Sequence, residues 1–243
     1  MDAAIVIPAR WASTRFPGKP LAMIAGVSLI RRVYERAVLS RLASAVYVAT
    51  DDDRIAAHVS SFGGRVLQPE GDFQSGTDRI AAAVRSLDAF DAVINVQGDE
   101  PLIDPLVIDQ LITALAESEM ATLACPLLTD DEFLARDVVK VVTDLTGHAL
   151  YFSRAAIGSR ATALRHIGIY GYRAATLQRF TALPPAPLER AESLEQLRAL
   201  QNGIRIRVLE TPKPHLGVDR PEDVGRVEEE LGVGEPTSVW GPR

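Results

Sequence analysis

The residues most suited to chemistry lie near the N-terminus, where an apolar run ending at Pro8 gives way to Ala9-Arg10-Trp11-Ala12-Ser13-Thr14-Arg15-Phe16-Pro17-Gly18-Lys19-Pro20. Arg10, Arg15 and Lys19 supply positive charge, Ser13 and Thr14 supply hydroxyls, and the small residues let backbone amides approach oxygen atoms. That combination suits a polyphosphate. A second candidate follows another apolar run, in Gln97-Gly98-Asp99-Glu100-Pro101, where Asp99 would stand at a strand end with oxygen ligands to offer a magnesium ion. A third is Asp219 in Gly217-Val218-Asp219-Arg220-Pro221, which reads equally well as a metal ligand or as the cap of a helix starting at Pro221. Neither the P-loop lysine pattern nor G-x-G-x-x-G occurs, so ordinary NTPase and dinucleotide-dehydrogenase readings lack their signatures. No Ser-His-Asp or Cys-His set suggests covalent catalysis.

These groups converge only if the elements behind them place them at one end of a sheet. Ala4 to Pro8, Ala45 to Ala49, Arg65 to Leu67 and Ala92 to Val96 read as strands buried on both faces. Val27 to Leu39, Asp53 to Phe62 and Thr77 to Leu87 carry helical spacing, with caps expected near Asp51 and Ser75. Alternating strand and helix predicts an α/β fold with a single open, mostly parallel sheet flanked by helices, and ligands beyond the carboxyl ends of its strands. The segment from about 121 to 173 is richer in strands (Ala121 to Leu127, Val138 to Thr143, Ala149 to Phe152, His166 to Tyr172) and reads as later strands plus a smaller antiparallel lobe. Leu188 to Leu200 and Pro221 to Leu231 return to helical spacing, and Pro184 to Pro187 is a stiff connector. The expected organisation is one domain over 1–233 and a loose tail over 234–243.

Composition narrows the class. The chain has 243 residues, 47% hydrophobic, with a net charge of −6 and no long basic run, which argues against a nucleic-acid partner. No apolar stretch is long enough to span a bilayer, and the N-terminus lacks the basic leader of a signal peptide. The single cysteine, Cys125, cannot form an internal disulfide and sits in an apolar run as a structural thiol. A cytoplasmic location is the resulting expectation.

Seven separated segments, in the same order, resemble CMP-Kdo synthetase, the 3-deoxy-manno-octulosonate (Kdo) cytidylyltransferase family: Pro8 to Pro20, Ala49-Thr50-Asp51, Gln74 to Arg79, Asn95 to Pro101, Arg165 to Tyr170, Leu194 to Arg198 and Gly217 to Asp219. The resemblance spans roughly residues 3 to 231. It implies a nucleotidyltransferase that transfers CMP from CTP, its co-substrate, to a small acidic acceptor with loss of pyrophosphate. Ala9, Arg10, Ser13, Thr14, Arg15 and Lys19 would then bind the nucleotide's phosphates, and Gln74, Ser75 and Arg79 its cytidine. Asp99 and Asp219 would hold one or two magnesium ions; with Arg15 and Lys19 they form the expected catalytic set. Gln97, His166, Tyr170, Glu195 and Gln196 would line the sugar-acid pocket. The family also implies a homodimer built through the strand-rich lobe.

The match departs from the family between Ile157 and Leu164, where a longer loop is reduced to Gly158-Ser159-Arg160-Ala161-Thr162-Ala163. Arg160 would stand in for the family's sugar-side arginine. A trimmed surface loop explains the change with Kdo kept as acceptor and lipopolysaccharide or capsule as destination. A smaller acceptor also explains it, such as phosphonoformate in a phosphonate natural-product pathway. A catalytically silent nucleotide-binding protein is a third reading, opposed by the intact Arg15, Lys19, Asp99 and Asp219.

Overall fold

The structure, a computed structural model, describes residues 1–12, 15–73, 75–85, 87, 90–126, 129–212 and 216–232. The chain begins with β1 (Ala3–Pro8), a loop with a single 3-10 turn at Lys19–Leu21, and a small hairpin of β2 (Met23–Ile24) and β3 (Val27–Ser28). Then follow α1 (Leu29–Val38), β4 (Ala45–Ala49), α2 (Asp53–Ser61), β5 (Val66–Leu67), α3 (Gly76–Val84), β6 (Ala92–Asn95) and α4 (Pro105–Ala114). The second half runs through β7 (Met120–Pro126), α5 (Asp130–Leu134), β8 (Lys140–Thr143), β9 (Ala149–Ser153) and β10 (Leu164–Arg173). It continues with α6 (Ala174–Thr181), α7 (Pro187–Glu192), α8 (Gln196–Gln201), β11 (Ile206–Glu210) and α9 (Asp223–Glu230).

The main sheet is ordered β11-β7-β10-β6-β1-β4-β5. Its pairings are parallel except around β10, which runs against both β6 and β7. The expected open, mostly parallel α/β sheet is therefore present. Strand β1 shows why: Ala3, Ile5 and Ile7 pack into the core on one face, with α1, α2, α4 and α9, while Val6 packs on the other, with α3, α6 and α8. A strand covered on both faces can be apolar throughout, and such runs form parallel sheets. The antiparallel excursion is β8 and β9, a hairpin joined to the sheet where β8 pairs with the start of β10.

Several boundaries differ from the expectation. The helix expected from Val27 starts at Leu29, because Val27 and Ser28 pair with β2 instead. Asp52, not Asp51, caps α2, accepting from the amides of Arg54 and Ile55; Asp51 pairs with Arg79 at 2.8 Å. Ser75 caps α3 as expected, accepting from the Asp78 amide at 3.1 Å. The single helix expected over Leu188 to Leu200 is two helices, α7 and α8, broken where Ser193 takes a left-handed φ of 52°. Among the described residues no helix is long and apolar enough to cross a membrane.

Candidate active site

Strands β1 and β6 are parallel neighbours, with Val6 level with Asn95, so their carboxyl ends open side by side. The chain leaving β1 carries the basic loop, and the chain leaving β6 carries Gln97-Gly98-Asp99. Gly98 makes the approach possible, since a Cβ there would lie 2.9 Å from the Pro8 carbonyl oxygen. The resulting cleft, of about 260 Å³, is lined by Ala9, Arg10, Arg15 and Lys19 of the basic loop. Ser75 and Arg79 from the start of α3 line it too, as do Gln97, Asp99 and Asp219. Ser13, Thr14 and Gln74 lie outside the described residues.

The loop is given its shape by Trp11, which the sequence did not mark as important. Gly18, at φ 70°, sits so close beneath the indole that a Cβ would be 3.0 Å from a ring carbon, and its amide donates to the Trp11 carbonyl. The outer face of the indole carries the Arg54 guanidinium 3.4 Å from the ring centroid, itself anchored by Asp52 at 2.6 Å. A cation stacked on tryptophan is a favourable electrostatic contact. Loop and helix α2 are thereby joined, and Lys19 is turned inward, with only 14% of its side chain exposed.

Lys19 Nζ donates to Asp99 Oδ2 at 2.8 Å and lies 3.6 Å from Asp219 Oδ1, while Arg15 donates to the same Asp219 oxygen at 3.1 Å. Asp219 reaches this cluster because its loop is fastened to the sheet. The Val218 amide donates to the Asp99 carbonyl at 2.8 Å, and the Val218 side chain is fully buried in the core. Asp219 does not cap α9. Asp223 accepts from the amides of Asp219 and Arg220, both at 2.9 Å, which frees the Asp219 carboxylate to face the cations. Two carboxylates and two cations thus meet at the mouth of the cleft.

Glu100 completes the electrostatics and was read from the sequence only as part of a turn. Burial, followed by the charge of Asp99, pushes its carboxyl up to about 7; Arg165 and Lys19 act in the opposite direction. Among the described residues no group of three or more His, Cys, Asp or Glu side chains is placed to hold a metal ion. A pair of carboxylates nonetheless fits magnesium, which typically takes one or two carboxylates and completes its shell with phosphate oxygens and water.

The residues expected to face the acceptor fall on β6, β10 and the α7–α8 junction. Gln97 Nε2 donates to Asn95 Oδ1 and to the Gly168 carbonyl, each at 3.3 Å, joining the end of β6 to an irregularity in β10 between Ile167 and Tyr170. His166 lies edge-on to Phe152 with centroids 5.0 Å apart, and 5.5 Å from the Tyr170 ring. Its Nε2 is 3.1 Å from the Thr122 hydroxyl. Desolvation pushes its pKa down to about 3, although the residue keeps some accessible surface. Glu195 Oε2 accepts from Thr77 at 2.6 Å. Glu195 Oε1 and Gln196 Nε2 are buried without a hydrogen-bond partner among the described residues. Buried polar atoms are nearly always paired, so two adjacent orphans are what a polar ligand would satisfy. Arg160 is half-exposed and pairs with Asp130 at 2.7 Å; neither it nor His166, Tyr170, Glu195 or Gln196 is among the residues lining the cleft, whereas Gln97 is. The short loop carrying Arg160 closes on itself, with Thr162 Oγ1 accepting from the Ser159 amide at 3.0 Å.

A phosphate-sized basic cleft beyond the carboxyl ends of a mostly parallel sheet, with paired aspartates at its mouth, defines a nucleotidyltransferase of the α/β type. The cytidylyltransferase family model matches residues 4–206. Proteins named 3-deoxy-manno-octulosonate cytidylyltransferase from Geobacter sulfurreducens and Anaeromyxobacter sp. are 49% and 51% identical to this chain; each comparison covers 95% of it, and 100% and 97% of the relatives. The solved structure of CMP:2-keto-3-deoxy-manno-octonic acid synthetase complexed with CTP superposes with a TM-score of 0.91 at 40% identity, covering 96% of this chain and 99% of that one. This chain belongs to the 3-deoxy-manno-octulosonate cytidylyltransferase family, and it is a CTP-dependent nucleotidyltransferase.

Proposed function

We propose that this protein transfers CMP from CTP to Kdo with release of pyrophosphate. The observation that carries the reading is the Lys19–Asp99–Asp219–Arg15 cluster at the mouth of a cleft shared by Ser75, Arg79 and Gln97. CTP brings about four negative charges into that cleft, and an acidic acceptor must approach them. Arg10, Arg15 and Lys19 offset the triphosphate charge. Arg15 and Lys19, already on one aspartate oxygen, are positioned to follow charge onto the departing pyrophosphate. Ser75 and Arg79, at the start of α3, hold the cytidine. Gln97, His166, Tyr170, Glu195 and Gln196 orient the acceptor so that one of its hydroxyl oxygens meets the α-phosphorus in line.

Asp99 and Asp219 are the residues that would hold magnesium. A bound magnesium ion would supply stabilisation of the charge that builds on the α-phosphate and a lower pKa for the attacking hydroxyl. We also infer a homodimer formed through the β8–β9 hairpin, on which Leu145 is fully exposed and Leu150 62% exposed. The setting inferred is the cytoplasm, and the activated sugar acid is what a lipopolysaccharide- or capsule-building glycosyltransferase would consume. The names of the relatives favour Kdo over phosphonoformate as acceptor.

The deciding experiment measures pyrophosphate release from CTP and magnesium with Kdo or phosphonoformate offered separately. Release with Kdo supports the reading and makes the short loop at 158–163 a trimmed surface feature. Release with phosphonoformate alone overturns it.

A further inference from the structure

The first turn of α3 reaches two places at once. Ser75 caps the helix and lines the nucleotide cleft. Thr77, two residues on and only 4% exposed, points elsewhere, donating its hydroxyl to Glu195 Oε2 at 2.6 Å. Tyr172 of β10, 1% exposed, is buried nearby, its phenol pushed up by desolvation and by the charge of Glu195.

The far side of the carboxylate is equally fixed. Arg198 lies 3.7 Å from Glu195 Oε1, and its guanidinium is pinned by Glu189 at 2.9 and 2.5 Å and packed over Phe180. Burial works against ionisation of Glu195, and the hydroxyls of Thr77 and Ser75 together with Arg198 work for it. With Oε2 committed to Thr77, Oε1 is the atom left for a ligand, next to the orphaned Nε2 of Gln196.

We propose that Thr77 is a positioning residue for the acceptor: its hydroxyl fixes one carboxylate oxygen of Glu195 and leaves the other, with Gln196, for the acceptor's polar groups. The inference rests on the reading of Glu195 and Gln196 as acceptor-binding residues. Because Thr77 and Ser75 share one helical turn, the acceptor pocket and the cytidine site are built on the same rigid element.

The test is steady-state kinetics of Thr77→Val, Thr77→Ala and Thr77→Ser, with melting temperatures for each. Thr77→Val keeps the side chain's shape and removes the donor. It is expected to raise KM for Kdo about tenfold or more, the scale of a lost hydrogen bond to a charged group. KM for CTP should rise clearly less than KM for Kdo, because valine leaves the Ser75 cap of α3 in place. Thr77→Ser restores the wild-type KM for Kdo. Thr77→Ala, a second variant without the donor, should raise it to a similar degree and serves if Thr77→Val folds poorly. A rise in KM for CTP equal to that for Kdo, or no change in either, overturns the positioning role. Wild-type protein that releases no pyrophosphate with CTP and Kdo overturns the acceptor reading itself, a result distinct from wild-type turnover with a silent Thr77→Val.

Discussion

Lys19 and Asp99 form a charged contact in the cleft, 2.8 Å from ammonium to carboxylate, and join the loop after β1 to the turn after β6. The same ammonium lies 3.6 Å from Asp219, so one lysine stands between the two carboxylates that would hold magnesium. Lys19 thereby offsets charge on both aspartates. When a triphosphate enters, the lysine charge has a second partner to serve.

Lys19→Met removes this cation while keeping most of the stem. Turnover is expected to fall by about 100-fold or more, the range for losing one preorganised charge at a developing anion. The two aspartates are then left without their shared counter-ion. Binding of Mn2+ to the nucleotide-free variant, followed by electron paramagnetic resonance, should therefore be tighter than to wild type. Weaker Mn2+ binding would mean that Lys19 does not compete for the site.

Asp99→Asn keeps the size of the side chain and removes its charge. With magnesium present, pyrophosphate release should fall by about 100-fold or more, while CTP still binds through the basic loop. Chelation of magnesium from wild type should abolish turnover to the same degree and be reversed by adding the metal back. Turnover that survives both treatments would remove Asp99 from the metal-holding role.

How much of this was legible beforehand depends on the range of the interaction. Apolar runs such as Ala3–Pro8 and Ala92–Asn95 announce strands buried on both faces, and the chemistry at their carboxyl ends can be read directly from the residues that follow. Helix α4 was equally readable, with Asp104 as cap and Pro105 at its first position, yet it lay outside the elements expected. The break at Ser193 was not readable, because a left-handed serine carries no local signal. That break makes Glu195 the first residue before α8 and brings it to Thr77, 118 residues earlier. Lys19 to Asp99 and Arg15 to Asp219 span 80 and 204 residues, and the sheet order creates both pairings. The fold class and the charged set could be named from sequence; which atoms share which oxygen could not.

Gly98→Ala tests how tightly β1 and β6 must approach. The added methyl would meet the Pro8 carbonyl oxygen at 2.9 Å, a backbone atom that cannot move without shifting the start of the basic loop. Overpacking of this kind costs about 1–3 kcal/mol. The expected result is a lower unfolding midpoint in urea, with activity falling further than stability does, since the displaced atoms carry both Asp99 and the phosphate loop. Wild-type stability together with wild-type turnover would show that the strand ends have slack.

His166 gives the clearest pH prediction. Desolvation takes its pKa down to about 3 from 6.5, so in the folded protein the ring is neutral throughout the physiological range. The unfolded chain binds a proton at His166 as pH falls through 6.5, whereas the folded chain does not until about 3. This group therefore contributes stability that is present above pH 6.5 and is lost progressively as pH drops toward 3. His166→Gln should flatten that part of the stability curve. Under the proposed function, His166 would meet an anionic acceptor as a neutral hydrogen-bonding group, held by Thr122, Phe152 and Tyr170, and not as a cation. In an NMR titration its ring resonances should stay unchanged between pH 8 and 5. A His166 signal that titrates near pH 6.5 would show the ring to be solvated and able to carry charge at physiological pH.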